Sequence, residues 1–353
     1  MSEGVATGLP TSSEVAAAGP LAPLRDCADL LACPFTGATL TKTADALVTP
    51  DRTRRYPIED GIPRLFAPTG PGSAQDVTDV VKAFYEATPF PNYADGETRE
   101  TLAAKARRNL FLRALDAALP GNAVVLEAGC GTGQLTNFLA LSAGRRVFGG
   151  DVCLNSLRLA NEFRDRAGIS NAAFVQMNLF RPPFRPASVD MVIANGVLHH
   201  TGDAQGGFEA LLRAVKPGGV VLVGLYNRYA RLATLARRWA FARFGPAAHF
   251  LDRRLASAGH GAAQREAWYR DQYQHPHETR HSIAEIMRWF DRAGVDFLAS
   301  IPRADGAPFT AATPLLEPQP PGGAARHLAI QLAMLAQGGR DGGLFIMIGR
   351  KRR

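Results

Sequence analysis

Apolar residues form short strand-like runs separated by longer helical patterns over the middle of the chain. The runs lie at 124–126, 147–148, 173–175, 189–194 and 218–225. Helical spacing of apolar residues fills intervals between them, at 135–141, 155–166 and 208–215. Strands that alternate with helices at this spacing need crossover connections, which predict a parallel, doubly wound α/β sheet.

The pattern continues towards the C-terminus with longer intervals between elements. Helices are predicted at 230–244, 281–293 and 324–336, and strands at 295–301 and 343–349. Two segments, 226–280 and 302–342, are longer than a plain α/β core needs. We interpret them as insertions that form a lid and substrate walls beyond the carboxyl ends of the strands.

The first third of the chain has a different texture. Residues 1–23 are mostly Ala, Gly, Ser and Pro, which predicts a disordered tail because so little apolar area offsets the entropy of ordering. Short apolar runs broken by turn residues predict a small β-rich module at 24–70. The remaining predicted units are a helical lead-in at 71–121, a core at 122–226, a helical insertion or lid at 227–280, and the C-terminal part of the core at 281–353, with a second insertion near 302–342.

Composition narrows the class of protein. The 353 residues are 46% hydrophobic and 20% charged, which is typical of a globular chain.

No run reaches the roughly 18–20 apolar residues that span a bilayer, and the start of the chain lacks a positively charged leader, so we expect a cytoplasmic protein with no membrane partner. The four cysteines are too few for a disulfide framework. The net charge is +8, but the arginines are scattered, which is weak evidence for nucleic-acid binding.

The loop after the first core strand carries glycine at every second position. It reads Glu127-Ala-Gly129-Cys130-Gly131-Thr-Gly133. Glycine lets the backbone turn tightly and lets a ligand approach without contacting a Cβ. A dinucleotide-binding loop would have its third glycine at 134, where the residue is Gln134. The spacing resembles instead the first motif of the class I S-adenosylmethionine-dependent methyltransferases.

The resemblance implies a Rossmann-like, mostly parallel sheet of seven strands, and cofactor contacts from the loops after the strands. Asp151 and Val152 end the second core strand, where a carboxylate accepts hydrogen bonds from both ribose hydroxyls. The alternative role for Asp151 is to cap the helix that begins near 155.

Further expected cofactor contacts follow the third and fourth core strands. Asn178 and Leu179 stand where the family commonly has an acid that pairs with the adenine amino group; Asn178 departs from that pattern, although its amide oxygen still accepts a hydrogen bond. A turn-stabilising role for Asn178 is the alternative. Asn195 follows the fourth strand, in a stretch that is similar to the corresponding part of methyltransferases acting on small molecules. This stretch lacks the Asn/Asp-Pro-Pro-aromatic motif of amine methyltransferases.

Two adjacent histidines are candidates for acid–base chemistry. An imidazole titrates near neutral pH, and the loop at 195–201 lies at the carboxyl edge of the predicted sheet. We take His199 as the candidate general base, the alternative being a histidine that packs beside the adenosine or caps a turn.

Polar aromatic clusters at 84–93 and 269–281 flank the core and are predicted to be loops that project towards the pocket. The expected substrate contacts are Tyr85, Tyr93, His200, Tyr226, Tyr273 and His277. The spacing of three histidines, His275, His277 and His281, suits a metal site. No cysteine lies nearby, however, and methyl transfer needs no metal, so we expect none to be bound.

The N-terminal module has a resemblance of its own. Its segments 32–37 and 55–65 resemble the small zinc-ribbon-type activator protein of several tRNA and translation-factor methyltransferases. Thr36 stands where a second cysteine would complete the first pair with Cys33, and no cysteine lies between 34 and 129. We therefore expect the module to fold without zinc.

These motifs predict a methyltransferase that uses S-adenosylmethionine and acts on a small-molecule substrate. A tRNA or protein methyltransferase is the main alternative, supported by the activator-like module and the positive charge. A protein that binds the cofactor without catalysis is the second. The accepting atom and the oligomeric state are not predicted by the sequence.

Overall fold

A computed structural model describes residues 28–68, 77–87, 90, 93–94, 96–256, 261–338 and 340–353. The predicted disordered tail at 1–23 and part of the aromatic cluster at 84–93 lie outside these ranges.

The core is a seven-stranded sheet. Its strands are β5 (Val124–Ala128), β6 (Arg146–Asp151), β7 (Ala172–Gln176), β8 (Val189–Asn195), β9 (Val215–Tyr226), β10 (Val295–Ile301) and β11 (Leu344–Lys351). They lie in the order β10-β11-β9-β8-β5-β6-β7 across the sheet. The five strands β5 to β9 run parallel, while β11 pairs antiparallel with both β9 and β10. The predicted doubly wound, mostly parallel sheet is confirmed.

Helices surround this sheet. They are α1 (Val77–Ala87), α2 (Arg99–Arg108), α3 (Leu110–Ala118), α4 (Gln134–Leu139), α5 (Leu154–Arg166), α6 (Ala204–Leu212), α7 (Arg231–Phe244), α8 (Arg253–Ala256), α9 (Ala262–Tyr269), α10 (Ile283–Arg292) and α11 (Ala324–Ala336). Asn109 separates α2 from α3, because its side chain accepts hydrogen bonds from the backbone of Phe111 and Leu112 and so begins a new helix. No helix within the described ranges is both long and apolar enough to cross a membrane.

The sheet is buried on both faces, which is why its strands are almost continuously apolar in sequence. Phe148, Phe208 and Phe345 belong to one buried cluster, and Val125, Leu222 and Ile348 to another. The carboxyl ends of the parallel strands therefore stand on a rigid base, and the loops that leave them carry the candidate site.

The N-terminal module, residues 28–68, forms a small antiparallel sheet that packs on the edge of the core. Its strands are β1 (Thr41–Lys42), β2 (Ala46–Val48), β3 (Arg55–Glu59) and β4 (Ile62–Pro63). Arg64 bridges to Gln176 at the end of β7, and the Asp60 carbonyl accepts a hydrogen bond of 2.7 Å from Asn161 on α5. Ile62 is fully buried in a cluster with α5 side chains. The module thus extends the core at its β7 edge.

The prediction of loops in the two aromatic clusters is wrong for part of each. Residues 84–87 belong to α1, because apolar residues at 77, 81, 84 and 85 give one helical face that outweighs the modest helix propensity of aromatic residues. Tyr269 ends α9, and Arg270–Gln274 continues as a π-helical turn. Only the following stretch up to 281 is irregular.

Candidate functional site

A cavity of about 710 Å³ opens at the carboxyl ends of β5, β6, β8 and β9. This volume lies within the roughly 300–1,000 Å³ of small-molecule sites. The loops after β5, β6, β7 and β8 supply one set of its lining residues, and α1, the end of β9 and the π-helical turn supply another.

The alternating glycines shape the loop after β5. Gly129, Gly131 and Gly133 all have positive φ, at 73°, 53° and 72°. A Cβ on Gly129 would lie 2.3 Å from a methyl group of Val197, so only glycine fits there. Gly129 and Gly131 line the cavity, whereas Gly133 does not; it begins α4 against Phe174.

Asp151 joins this loop to the end of β6. One carboxylate oxygen accepts a 2.8 Å hydrogen bond from the backbone N–H of Gly131, and the other accepts one of equal length from Cys153. Helix α5 begins after Cys153, and no hydrogen bond from the first turn of α5 to Asp151 is present among the described contacts. Asp151 therefore organises the cavity wall, which it lines together with Val152, and burial raises the pKa of its carboxyl group.

Glu127 and Cys130 complete this wall as buried groups. The Thr136 hydroxyl donates a hydrogen bond to the Glu127 carboxylate. Burial nevertheless raises the pKa of Glu127 to about 8, and it raises the pKa of the Cys130 thiol as well. Burial therefore favours the neutral form of both side chains.

The two asparagines differ in how far their hydrogen bonds are satisfied. Asn178 donates to the carbonyl of Ala67 in the N-terminal module at 3.0 Å and accepts from the Phe180 N–H at 3.0 Å, which is the turn-stabilising role left open above. Asn195 has a buried amide oxygen without a hydrogen-bond partner among the described residues. Asn178, Leu179 and Asn195 all line the cavity. The Asn195 oxygen is enclosed by protein and faces Gly224 on β9, where a Cβ would lie 1.9 Å from it, so other atoms of Asn195 form the cavity wall.

A second set of lining residues forms a polar network. Tyr85 donates from its hydroxyl to Asp271 at 2.9 Å, and Gln272 donates to both Asp271 and the Tyr226 hydroxyl at 2.8 Å. Burial raises the pKa of Tyr85, and the charges of Asp271 and Asp151 raise it further. Tyr85, Asp271 and Asp151 all line the same cavity, so the two sets of lining residues share one space.

His200 joins this network with a defined protonation pattern. Its Nδ1 lies 3.0 Å from the carbonyl oxygen of His277. A carbonyl only accepts hydrogen bonds, so Nδ1 carries the proton and Nε2 keeps its lone pair. Burial lowers the pKa of His200 to about 3, which keeps the ring neutral at physiological pH.

Several of the sequence-predicted residues do not line the cavity. His199 is fully buried, with its ring centroid 3.8 Å from that of Tyr226, and neither of its ring nitrogens is hydrogen-bonded to a described residue. Tyr93 stacks on Phe163, and Tyr273 donates to the buried carboxylate of Asp252. The ring of His277 reaches the backbone of the loop after β8, where its Nε2 lies 3.0 Å from a carbonyl oxygen. These four residues contact other protein groups and do not line the cavity.

Sequence reasoning missed Asp271, Gln272 and Arg231. The first two fall inside the polar aromatic cluster at 269–281, so that cluster was the available signal. Arg231 opens α7 and is fully buried, and its guanidinium bonds to Glu278, to Gln272 and to the carbonyl of Gly342. Nothing in the local sequence distinguishes this arginine from its exposed neighbours.

Comparison with protein families assigns the core. The model of a methyltransferase domain matches residues 126–223, which contain the glycine loop, Asp151 and the loop after β8. The match identifies residues 126–223 as a methyltransferase domain. The cofactor of this domain is S-adenosylmethionine. The model of Trm112p-like proteins matches residues 26–61, so a Trm112p-like module precedes the methyltransferase domain.

Three curated relatives show how far the similarity reaches. An uncharacterized protein of Synechococcus is 28% identical over 63% of this chain and 60% of its own length. The ubiquinone biosynthesis O-methyltransferase of Paracidovorax citrulli is 34% identical over 32% of this chain and 47% of its length. The tRNA (carboxymethyluridine(34)-5-O)-methyltransferase of Arabidopsis thaliana is 29% identical over 34% of this chain and 28% of its length. The chain thus spans 60% or less of these relatives.

Replacing His199 by Phe is expected to weaken the pH dependence of stability. Burial, with smaller contributions from neighbouring positive groups, holds the pKa of His199 well below its usual 6.5, so below that pH the unfolded chain takes up a proton that the folded protein excludes. The free energy of unfolding therefore falls as the pH drops through 6.5, by up to about 1.4 kcal/mol per pH unit for this ring. Urea titrations between neutral pH and about pH 5 measure the change in slope.

A control for this measurement is Leu198→Ala, which removes buried apolar atoms from the neighbouring position without removing a titrating group. It should lower stability at every pH and leave the slope unchanged. If His199→Phe keeps the slope of the parent protein, His199 is not a neutral buried imidazole.

Proposed function

We propose that this chain transfers a methyl group from S-adenosylmethionine to an apolar small molecule that bears a hydroxyl group. The observation that carries the proposal is the single cavity lined both by the glycine loop with Asp151 and by the His200, Tyr226 and Asp271 network. A cavity that contains both sets of residues has room for a methyl donor and an acceptor side by side.

The residues of the first set fit the donor. Gly129 and Gly131 have positive φ and line the cavity without a side chain, and Asp151 offers a carboxylate for the ribose hydroxyls. When bound, S-adenosylmethionine supplies an activated methyl group on a sulfonium. The side chains of this set would hold it at the carboxyl edge of the sheet.

The second set would orient and activate the acceptor. His200 presents the lone pair of Nε2, since its Nδ1 proton is engaged by the His277 carbonyl. A neutral imidazole in this state accepts a hydrogen bond from the hydroxyl group and takes its proton as the oxygen becomes acidic during methyl transfer. Because burial lowers the pKa of His200 to about 3, this assistance is smaller than that of a base that titrates near neutral pH. The hydroxyls of Tyr85 and Tyr226 are already ordered by Asp271 and Gln272, so the network keeps its geometry without a ligand.

The remaining walls favour an apolar acceptor. They include Val81, Phe111, Leu112, Phe138, Ile301 and Leu344. Apolar walls with a few convergent polar groups are typical of sites that bind a hydrophobic body and orient one functional group. The named activity of the Paracidovorax citrulli relative, O-methyl transfer in ubiquinone biosynthesis, supports this class of acceptor.

A tRNA substrate is the second candidate. The Trm112p-like module and the tRNA-modifying relative from Arabidopsis thaliana favour it. The two candidates differ in their response to salt, because binding to phosphates releases counterions and weakens steeply as ionic strength rises. We expect turnover of an apolar phenol to change little with added salt. A steep loss with salt, together with turnover of tRNA, would favour the second candidate.

Replacing Asp151 by Asn should weaken binding of S-adenosylhomocysteine, the demethylated product. The change removes the charge that would accept the ribose hydroxyls, and each charge-assisted hydrogen bond contributes roughly 1.5–3 kcal/mol, so the loss should be about tenfold or more. Isothermal titration calorimetry measures it. Asp291→Asn, an exposed carboxylate at the end of α10, is the matched control and should bind as the parent does. Equal affinity of Asp151→Asn and the parent would exclude the ribose role.

Replacing His200 by Gln should lower turnover far more than cofactor binding. Loss of the group that orients the hydroxyl and takes its proton should reduce kcat/KM by about tenfold or more, while the affinity for S-adenosylhomocysteine stays within about twofold. Release of S-adenosylhomocysteine with a panel of apolar phenols, catechols included, measures the rate. His249→Gln, in the first insertion, is the control. Full activity of His200→Gln would remove this residue from the mechanism. If the parent protein released S-adenosylhomocysteine with none of the acceptor classes, methyl transfer itself would be contradicted.

A further inference from the structure

Helix α7 turns an apolar face towards solvent. Its inward side contains the buried residues Arg231, Thr234 and Phe241. The outward side carries Leu232, Ala236, Trp239 and Ala242, and Trp239 is 67% exposed. A helix on the surface of a soluble domain normally shows the opposite distribution, with polar residues outward.

The turn that follows α7 extends this surface. Phe244 is exposed at the end of the helix, and Phe250 and Leu251 are exposed in the 3₁₀ turn at 245–251, with Phe250 at 73%. Helix α11 contacts α7 and also exposes leucines, at positions 328 and 332. We call the exposed residues of 232–251 the α7 surface. Exposed apolar residues that lie together mark an interaction site.

The charge of the same segment is strongly positive. Between 231 and 256 the chain has six arginines and one acidic residue, Asp252. Asp252 is buried, where it accepts hydrogen bonds from Trp268 and Tyr273. Arg238 and Arg243 are exposed on α7 beside Trp239. The segment therefore presents arginines and apolar side chains to solvent without an exposed carboxylate of its own.

The insertion that carries the α7 surface also contributes to the cavity wall. Arg254 lies three residues after Leu251, and its guanidinium stacks 3.9 Å from the centroid of the Trp268 ring. Both Arg254 and Trp268 line the cavity. The same insertion thus forms both a cavity wall and the exposed apolar surface.

We propose that the α7 surface docks on a lipid bilayer that contains anionic headgroups. Apolar side chains flanked by arginines suit the boundary between headgroups and acyl chains, where the rings and leucines enter and the guanidinium groups bind phosphates. This contact is peripheral and needs no helix that crosses the bilayer, which agrees with the described helices. It differs from the expectation that the protein has no membrane partner.

Two other occupants suit the surface less well. A structured RNA would use the arginines and the rings but would leave Leu232 and Leu251 in water. A second copy of this chain would bring the exposed arginines of both α7 surfaces together, and like charges oppose such a contact. Charge complementarity therefore favours the anionic bilayer. Docking does not depend on the proposed methyl transfer.

The test is co-sedimentation of the full chain with phosphatidylcholine vesicles, with and without phosphatidylglycerol. We expect binding to the anionic vesicles, weaker binding to the neutral ones, and loss of binding at high salt. The double variant Trp239→Ser with Phe250→Ser should bind anionic vesicles about tenfold less tightly or weaker. Arg238→Gln with Arg243→Gln should lose about thirtyfold.

Matched controls lie on other surfaces. Leu159→Ser with Val80→Ser changes two exposed apolar residues, and Arg213→Gln with Arg292→Gln changes two exposed arginines. Both should bind vesicles as the parent does, and calorimetry with S-adenosylhomocysteine should be unchanged in all four variants.

Three results would overturn the proposal. The first is a parent protein that does not sediment with anionic vesicles, or α7-surface variants that sediment as well as the parent. The second is binding to a structured RNA, but not to vesicles, that these variants abolish. The third is a dimer that Trp239→Ser with Phe250→Ser converts to a monomer, with no vesicle binding in the parent.

Discussion

A buried guanidinium holds the polar part of the cavity together. A fully buried charge is unstable unless it is paired and hydrogen-bonded, and Arg231 meets that requirement with Glu278, Gln272 and a carbonyl before β11. The central carbon of the Arg231 guanidinium also lies 3.7 Å from the centroid of the Tyr226 ring, at the end of β9. These partners come from parts of the chain far apart in sequence. Removing the guanidinium would leave the Glu278 charge buried without its partner and would remove the hydrogen bonds to Gln272, so this residue supports the insertion together with the contacts that the insertion makes with Tyr226 and Tyr85.

The donor side of the cavity is organised by a different principle, the satisfaction of backbone amides by one carboxylate. Asp151 fixes the N–H groups of Gly131 and Cys153, so the loops after β5 and β6 have a defined shape before any ligand binds. Preorganisation of this kind lowers the cost of binding, because the loops need not be ordered at that moment. Asn178 donates a hydrogen bond to the carbonyl of Ala67, and this bond couples the wall of the cavity to the N-terminal module. The fused module is therefore part of the site's support.

The fold was predictable because its signals are local. Strand β10 has the bounds predicted from its apolar run, and the glycine loop lies where its spacing placed it, since each signal needs only a few neighbouring residues. The acceptor side was less predictable, because it depends on contacts between distant segments. His199 and His200 are adjacent in a 3₁₀ turn, yet one ring is buried against Tyr226 and the other lines the cavity. No pattern in the sequence distinguishes them, and none indicates that α7 packs its first arginine inward.

The most direct test of the account is a crystal structure of the chain with S-adenosylhomocysteine. We expect the ribose hydroxyls to contact Asp151 and the sulfur to face the space lined by His200 and Tyr226, with no protein atom between them. A product bound outside this cavity, or one whose sulfur points away from that space, would contradict the claim that donor and acceptor share a single site.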